Sequence, residues 1–256
     1  MEKIISKENK KIKLLKSLNK ANKRKREGKF LIEGKKEIEM ALESDIQILD
    51  ICYCSEYGNE FDLGVSGFEV TKEKFDKLSY RENPDGFLAI AELPKIDLQN
   101  IKLKECPLVL VIEKVEKPGN IGAMLRTADA VGVDAVILCE AQTDFYNPNV
   151  IRSSLGAVFS VQVASGSNKE VLDWLMKNKM NIYSAYIEDS SIDFTQVDFK
   201  KGTAIVIGTE HKGLSKFWSD NATENIKIPM QGKIDSFNAS VSAAVLMYEA
   251  FKQRNS

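Results

Sequence analysis

A chain of 256 residues with 43% hydrophobic and 29% charged residues has room for one large or two modest globular domains, and this balance excludes a disordered or membrane-embedded chain. Its net charge of −1 hides an asymmetry: residues 1–29 hold twelve lysines and arginines against three glutamates, an excess of +9 that leaves −10 for the rest. Four cysteines without a C-x-x-C spacing and a single histidine, His211, argue against a structural zinc site, a thiol redox motif or a disulfide framework.

In chain order, residues 1–20 place Ile4, Ile5, Ile12, Leu14, Leu15 and Leu18 among lysines, the pattern of an amphipathic helix. The run NKANKRKREGK follows, with Lys23, Arg24, Lys25 and Arg26 clustered. It reads either as a solvated face or as a phosphate footprint, because clustered cations gain most by releasing counterions. KFLIEG is a short strand, KKEIEMALES a helix, IQILDICYCS a strand, VTKEKFDKLSY a helix and GFLAIAEL a strand. This alternation predicts a small α/β domain over residues 1–93. The polar segment 94–106, between Pro94 and Pro107, reads as a linker to a second domain over 107–256. There LVLVIE, DAVILC, AVFSVQVA, NIYSAYI, TAIVIG and NIKIPM are read as strands. GNIGAMLRTADAVG, NVIRSSLG, NKEVLDWLMKNK and FNASVSAAVLMYEAFKQR are read as helices. Continuous apolar strands separated by helices imply a parallel sheet covered on both faces, with ligands bound beyond the carboxyl ends of its strands. No apolar run reaches the ~18 residues of a spanning helix, and the lysine-rich start lacks the apolar core of a secretory signal, so a cytoplasmic protein is expected.

Three strand ends run into polar, glycine-bearing loops. In EKVEKPGNIG, Pro118 and Gly119 shape a turn and Asn120 stands at or near the helix N-cap. Arg126, in an otherwise small and apolar helix, either pairs with a buried carboxylate or faces a site that receives an anion. In VIGTEHKGLS, Gly208 and Gly213 begin like a phosphate-binding loop, but Leu214 occupies the position that needs lysine, which argues against an NTPase. Glu210 lies in this loop, and His211 reads as a surface residue. In IPMQGKIDSFNAS, Ser236, Asn238 and Ser240 lead into the last helix as capping residues or site residues. Ile228 and Met230, apolar beside Pro229 at a strand end, suit the wall of a pocket for a flat heterocycle.

Together, KPGNIGAMLRTADAVG, IVIGTEHKGLS and IPMQGKIDSFNASVSAAVLMYEA resemble the three ordered motifs of the SpoU/TrmH family, RNA ribose 2′-O-methyltransferases of the SPOUT superfamily that use S-adenosylmethionine. REGKFLIEGKKEIEMAL and NPDGFLAIAEL resemble, less sharply, the substrate-binding domain often joined to it. The resemblance implies an α/β catalytic domain with a SPOUT-type parallel sheet and a trefoil knot, an N-terminal RNA substrate-binding domain, and a homodimer completing the site across its two-fold axis. It places cofactor binding on Gly208, Ile228 and Phe237, to which the apolar Met230 beside Pro229 adds a pocket wall, and catalysis on Asn120, Arg126, Glu210, Ser236 and Asn238. Lys117 stands where an aspartate commonly precedes the proline, and would suit an RNA phosphate. Phe237 replaces a frequent leucine and Ala239 a frequent valine, changes that bear on pocket shape.

The implied reaction brings a ribose 2′-hydroxyl into line with a methyl group on a sulfonium and helps the hydroxyl lose its proton; no metal is required. A guanidinium keeps its proton above pH ~12. Arg126 is therefore expected to clamp a phosphate and stabilise oxyanion charge, Asn120 to fix the ribose or the arginine, Glu210 to orient the loop or Arg126, and Ser236 with Asn238 to line the reaction centre. An extra N-terminal domain with a basic start favours ribosomal RNA over transfer RNA as substrate. A non-catalytic RNA-binding or ribosome-assembly factor would be expected to lack Arg126, Asn120 or Asn238, and all three are present.

Overall fold

The computed structural model describes residues 2–3, 9–58, 64–209 and 213–256. Backbone contacts divide the chain into two units, Met1–Lys95 with Asp144–Ser160, and Ile96–Thr143 with Val161–Ser256.

The first unit begins with β1 (Glu2–Lys3), α1 (Lys10–Ser17), α2 (Ala21–Glu27), β2 (Lys29–Glu33) and α3 (Lys35–Glu43). It continues through β3 (Ile48–Tyr53), β4 (Gly67–Glu69), α4 (Lys72–Asp76) and β5 (Phe87–Glu92). The strands lie in the order β1-β4-β3-β5-β2, with β5 antiparallel to both its neighbours and the other pairs parallel. Of the amphipathic helix expected over 1–20, Lys10–Ser17 is helical, capped by the Asn9 side chain on the Lys11 N–H, and it buries Ile12 and Leu15 while its lysines face outward. Ile4 and Ile5 lie outside the described residues. The basic run, read only as a charge cluster, forms α2 and ends at Gly28 in the left-handed region.

In the second unit come β6 (Leu108–Glu113), α5 (Pro118–Val131) and β7 (Ala135–Cys139). The chain next forms α6 (Pro148–Ser153) and α7 (Ala157–Ser160), which belong to the first unit. It returns as β8 (Gln162–Gly166), α8 (Asn168–Lys177), β9 (Asn181–Ala185), β10 (Ile192–Asp193), β11 (Thr203–Ile207), α9 (Lys216–Asp220), β12 (Glu224–Lys227) and α10 (Ala239–Arg254). The seven strands are all parallel, in the order β10-β12-β9-β11-β6-β7-β8. β6, β7 and β11 are buried along their whole length, which is why their sequences read as unbroken apolar runs. Segment 94–106, read as a linker, packs on this unit: Leu98 enters the core of Val109, Ile137 and Trp174, with Ile101 and Leu103 beside it.

The excursion through 144–160 is held by contacts the sequence reading did not anticipate. Arg24 of α2 is 2% exposed. It donates to the Asp144 carboxylate from Nε at 3.2 Å and Nη2 at 2.5 Å, and from Nη1 to the Leu18 carbonyl at 2.8 Å. Phe30 of β2 meets the Tyr146 ring at 4.6 Å and the Phe159 ring at 6.1 Å between centroids. Gly156 turns the chain at φ +86°, where an added Cβ would stand 2.7 Å from Met40 Sδ of α3. The strand expected over AVFSVQVA therefore begins only at Gln162. Gly156 and the bonds Ala157 N–H to Ser154 and Phe159 N–H to Gly156 coil Ala157–Ser160 into a buried helical turn, an outcome that a short apolar run does not separate from a strand.

Candidate functional site

A cavity of about 350 Å³ opens at the carboxyl ends of β9, β11 and β12 in the second unit, the position where open parallel sheets take ligands. Its walls join four stretches of chain: Ala185–Ile187 at the end of β9, Ile207–Thr209 with Gly213 and Leu214 at and after the end of β11, Ile226–Ile228 with Met230 from β12 onward, and Asp235–Phe237 leading into α10. Gly208, Ile228, Met230, Phe237 and Ser236, singled out from the sequence, thus line one cavity. Ile228 and Met230 are half-buried there, which explains apolar side chains in an otherwise polar loop.

The loop after β11 is closed tightly. Thr209 and Gly213 exchange backbone hydrogen bonds of 3.2 and 3.1 Å. Gly208 is required by contact: a Cβ there would lie 2.4 Å from Gly213 C and Leu214 N. Glu210 and His211 lie outside the described residues. Beneath the loop is a polar anchor that sequence reasoning missed. Glu113, the last residue of β6 and 1% exposed, accepts from the Ser215 N–H at 2.8 Å, Ser215 Oγ at 2.6 Å and Asn168 Nδ2 at 2.7 Å. Asn168 Oδ1 in turn accepts from Trp218 Nε1 at 3.1 Å. The signal available was a carboxylate ending an otherwise unbroken apolar strand, LVLVIE.

Two helix N-termini meet at the neighbouring rim, where α10 packs against α5. Asn238 is the N-cap of α10; its Oδ1 accepts from the Ser240 N–H at 2.9 Å and Ser240 Oγ at 2.7 Å. Its Nδ2 approaches Asn120 Oδ1 at 3.4 Å. Asn120, expected at or near the N-cap of α5, lies near it, three residues past the cap position. Lys117 holds that position and Pro118 begins the helix, because proline fits a first helical position where the missing N–H costs nothing. Asn120 therefore stands in the first turn with its side chain turned toward Asn238. Arg126, under two turns further on, is exposed and has no hydrogen bond or ion pair among the described residues, so of the two expectations the buried carboxylate is not met.

The basic residues separate sharply. Arg24, read as a phosphate contact, is corrected: its guanidinium is buried on Asp144 and Leu18 and is not presented to solvent. Lys23 is half-buried, while Lys25, Arg26 and Lys117 are exposed. Arg26 meets Glu27 at 2.6 Å and holds that carboxyl below its usual range by hydrogen bond and charge. Burial pushes the thiols of Cys52, Cys54 and Cys139 up. Among the described residues, no group of three His, Cys, Asp or Glu is placed to hold a metal ion, and no helix is long and apolar enough to cross a membrane.

Residues 107–248 match the model of the SpoU rRNA Methylase family, and residues 9–89 match that of the MRM3-like substrate binding domain. The chain is similar to the 23S rRNA (guanosine(2553)-2′-O)-methyltransferase RlmP of Bacillus subtilis (strain 168), at 28% identity over 250 residues, 97% of this chain and 98% of that protein. It is similar to a solved RNA 2′-O ribose methyltransferase, with TM-score 0.86 and 37% identity over 99% of this chain and 100% of the other. It is likewise similar to the SpoU methyltransferase AviRb from Streptomyces viridochromogenes in complex with the cofactor AdoMet, with TM-score 0.87 and 28% identity over 97% and 99% of the two chains.

Proposed function

The chain belongs to the SpoU rRNA methylase family, an RNA 2′-O-ribose methyltransferase dependent on S-adenosylmethionine, and from that premise we propose that its substrate is ribosomal RNA, methylated at the cavity beside Asn120 and Asn238. The observation that carries this reading is the convergence of Gly208, Ile228 and Phe237 on one cavity bordering that rim. S-adenosylmethionine fits the residues present. The volume of about 350 Å³ lies within the usual range for ligand clefts. Ile207, Ile226, Ile228 and Phe237 supply apolar walls for a flat ring, and Asp235 and Lys227 supply opposite charges for an amino-acid moiety bearing ammonium and carboxylate.

When bound, the cofactor supplies a methyl group already activated by its sulfonium. The protein has to orient the hydroxyl and favour loss of its proton. Asn238, fixed by its bonds to Ser240, and Asn120 beside it hold the ribose. Arg126, exposed and without a hydrogen bond or ion pair among the described residues, clamps the adjoining phosphate and stabilises charge developing on the 2′-oxygen. Ser236 lines the reaction centre, and Glu210 orients the loop after β11 or Arg126. A homodimer completes the site. Val241 at 44%, Tyr248 at 61% and Phe251 at 36% exposure leave apolar surface on α10 that a second copy would cover. A trefoil knot in the second unit and a cytoplasmic location complete the reading.

The test is incubation of the purified protein with labelled S-adenosylmethionine and separate rRNA and tRNA pools, followed by mapping of alkali-resistant linkages. Label at one rRNA ribose is expected. Label confined to tRNA would change the substrate, and label on a base, or on no RNA, would overturn the reaction. Arg126→Lys should lower turnover while leaving cofactor affinity intact; near-normal turnover would exclude a bidentate clamp.

A further inference from the structure

Tyr80 in the first unit is 51% exposed, yet it is held from three directions. Its N–H donates to Glu33 Oε2 at 2.9 Å. Asn149 Nδ2 donates to its phenolic oxygen at 2.7 Å. The Arg152 guanidinium stands 5.7 Å from its ring centroid, within cation–π range. Glu33 is 6% exposed and also accepts from Ser79 Oγ and from the Arg81 N–H, so the turn carrying Tyr80 is pinned to a buried carboxylate. Arg81 is committed elsewhere, to Glu37 and to the Glu33 carbonyl. Arg152 is exposed and has no carboxylate partner among the described residues.

A tyrosine placed for stability alone gains most by burying its ring. Here the polar end and backbone are fixed while half the residue stays in water beside an uncompensated cation. That arrangement suits an unpaired nucleotide: a base stacks on a rigid aromatic surface, and the guanidinium meets its phosphate or extends the stack. Two of the three side chains around this surface, Asn149 and Arg152 beside Tyr80, also lie outside the matched substrate-binding domain, residues 9–89, because they come from α6.

We infer that Tyr80, Asn149 and Arg152 form a stacking platform for one unpaired nucleotide of the RNA substrate. The inference rests on RNA being that substrate. Its test uses the full chain, with affinity for oligouridine and for purified rRNA measured against salt, S-adenosylmethionine affinity by calorimetry, and thermal midpoints. Tyr80→Ala should weaken oligouridine binding roughly tenfold or more, and Tyr80→Phe should retain most of it. Arg152→Ala should reduce the salt slope by about one. Cofactor affinity should not change in any of them. If Tyr80→Ala loses its fold, Tyr80→Leu, which keeps apolar bulk without an aromatic face, and Arg152→Ala still decide the matter. Folded Tyr80→Ala (or Tyr80→Leu) and Arg152→Ala variants that bind both RNAs like the parent overturn the platform while leaving methylation standing. A parent that binds RNA without methylating it overturns the proposed reaction, and the affinities still decide the platform. A parent that binds neither RNA overturns both.

Discussion

Gly208→Ala isolates one close contact of the loop after β11, the proposed cofactor wall. The new Cβ would stand 2.4 Å from Gly213 C, 2.4 Å from Leu214 N and 2.5 Å from Gly213 O. All three are backbone atoms, so no rotamer change relieves the clash, and an ordinary contact requires the two strands of the loop to part by about 1 Å. The far strand is not free to yield, because Ser215 is tied to Glu113 by bonds of 2.8 and 2.6 Å. Parting breaks the Thr209–Gly213 pair of backbone bonds, each with a net value of about 0.5–1.5 kcal/mol. The sum, about 1–3 kcal/mol, corresponds to a loss of roughly five- to 150-fold in S-adenosylmethionine affinity if the cavity wall must re-form on binding. Calorimetric titration with the cofactor, beside a thermal melt, reads the effect directly. Gly232→Ala in the neighbouring loop is the control, since nothing lies within 4 Å of a Cβ there. Should Gly208→Ala bind the cofactor within about twofold of the parent, the loop is not the cofactor wall and the placement of the site fails.

Glu113→Gln removes an acceptor from a carboxylate that serves three donors, so either Ser215 or Asn168 is left facing an amide N–H. Cofactor affinity should fall roughly three- to thirtyfold, and Trp emission should shift because Trp218 bonds to Asn168; an unchanged spectrum with unchanged affinity would remove Glu113 from the positioning of the loop. Arg24→Met should destabilise the first unit by about 1–3 kcal/mol in urea, a figure discounted because Asp144 is partly exposed. Its RNA salt slope should match the parent's, whereas a slope lower by about one would mean that Arg24 reaches phosphate after all. A thiol reagent should modify one cysteine rapidly, exposed Cys106, with buried Cys52, Cys54 and Cys139 reacting only on unfolding; two fast thiols would contradict the burial.

The second unit was readable because its strands are buried on both faces. LVLVIE, DAVILC and TAIVIG admit few other fates once flanked by helical patterns, and they become β6, β7 and β11. Ile228 and Met230 were readable for a related reason, as apolar side chains in a loop that otherwise has no core to fill. The departures share a different cause. Asn120 was displaced from the cap by Pro118, a local preference that the sequence contained and that outranks asparagine only at the first helical position. AVFS coiled rather than extended because Gly156 sits against Met40, more than a hundred residues away.

Arg24 shows where reading by composition fails. Within KRKR every residue carries the same charge, so counting cations assigns all four to one role. Once Ala21–Glu27 is a helix, successive residues turn by about 100°, so neighbours in the run cannot share a face, and one of them must point inward. Which one is fixed by Asp144, 120 residues later, whose carboxylate, with the Leu18 carbonyl, compensates a guanidinium at 2% exposure. The same logic governs Glu113 with Ser215 and Asn120 with Asn238. Each pair joins polar residues from distant segments, and neither member shows a periodicity or spacing that points to the other. Apolar pattern therefore fixes where the sheet and its cavity lie, while polar pairs between distant segments, Glu113 with Ser215 and Asn120 with Asn238, hold the chain around that cavity. Such pairing occupies Arg24 but, among the described residues, gives Arg126 and Arg152 no carboxylate, which is why the proposals for RNA contact rest on those two side chains.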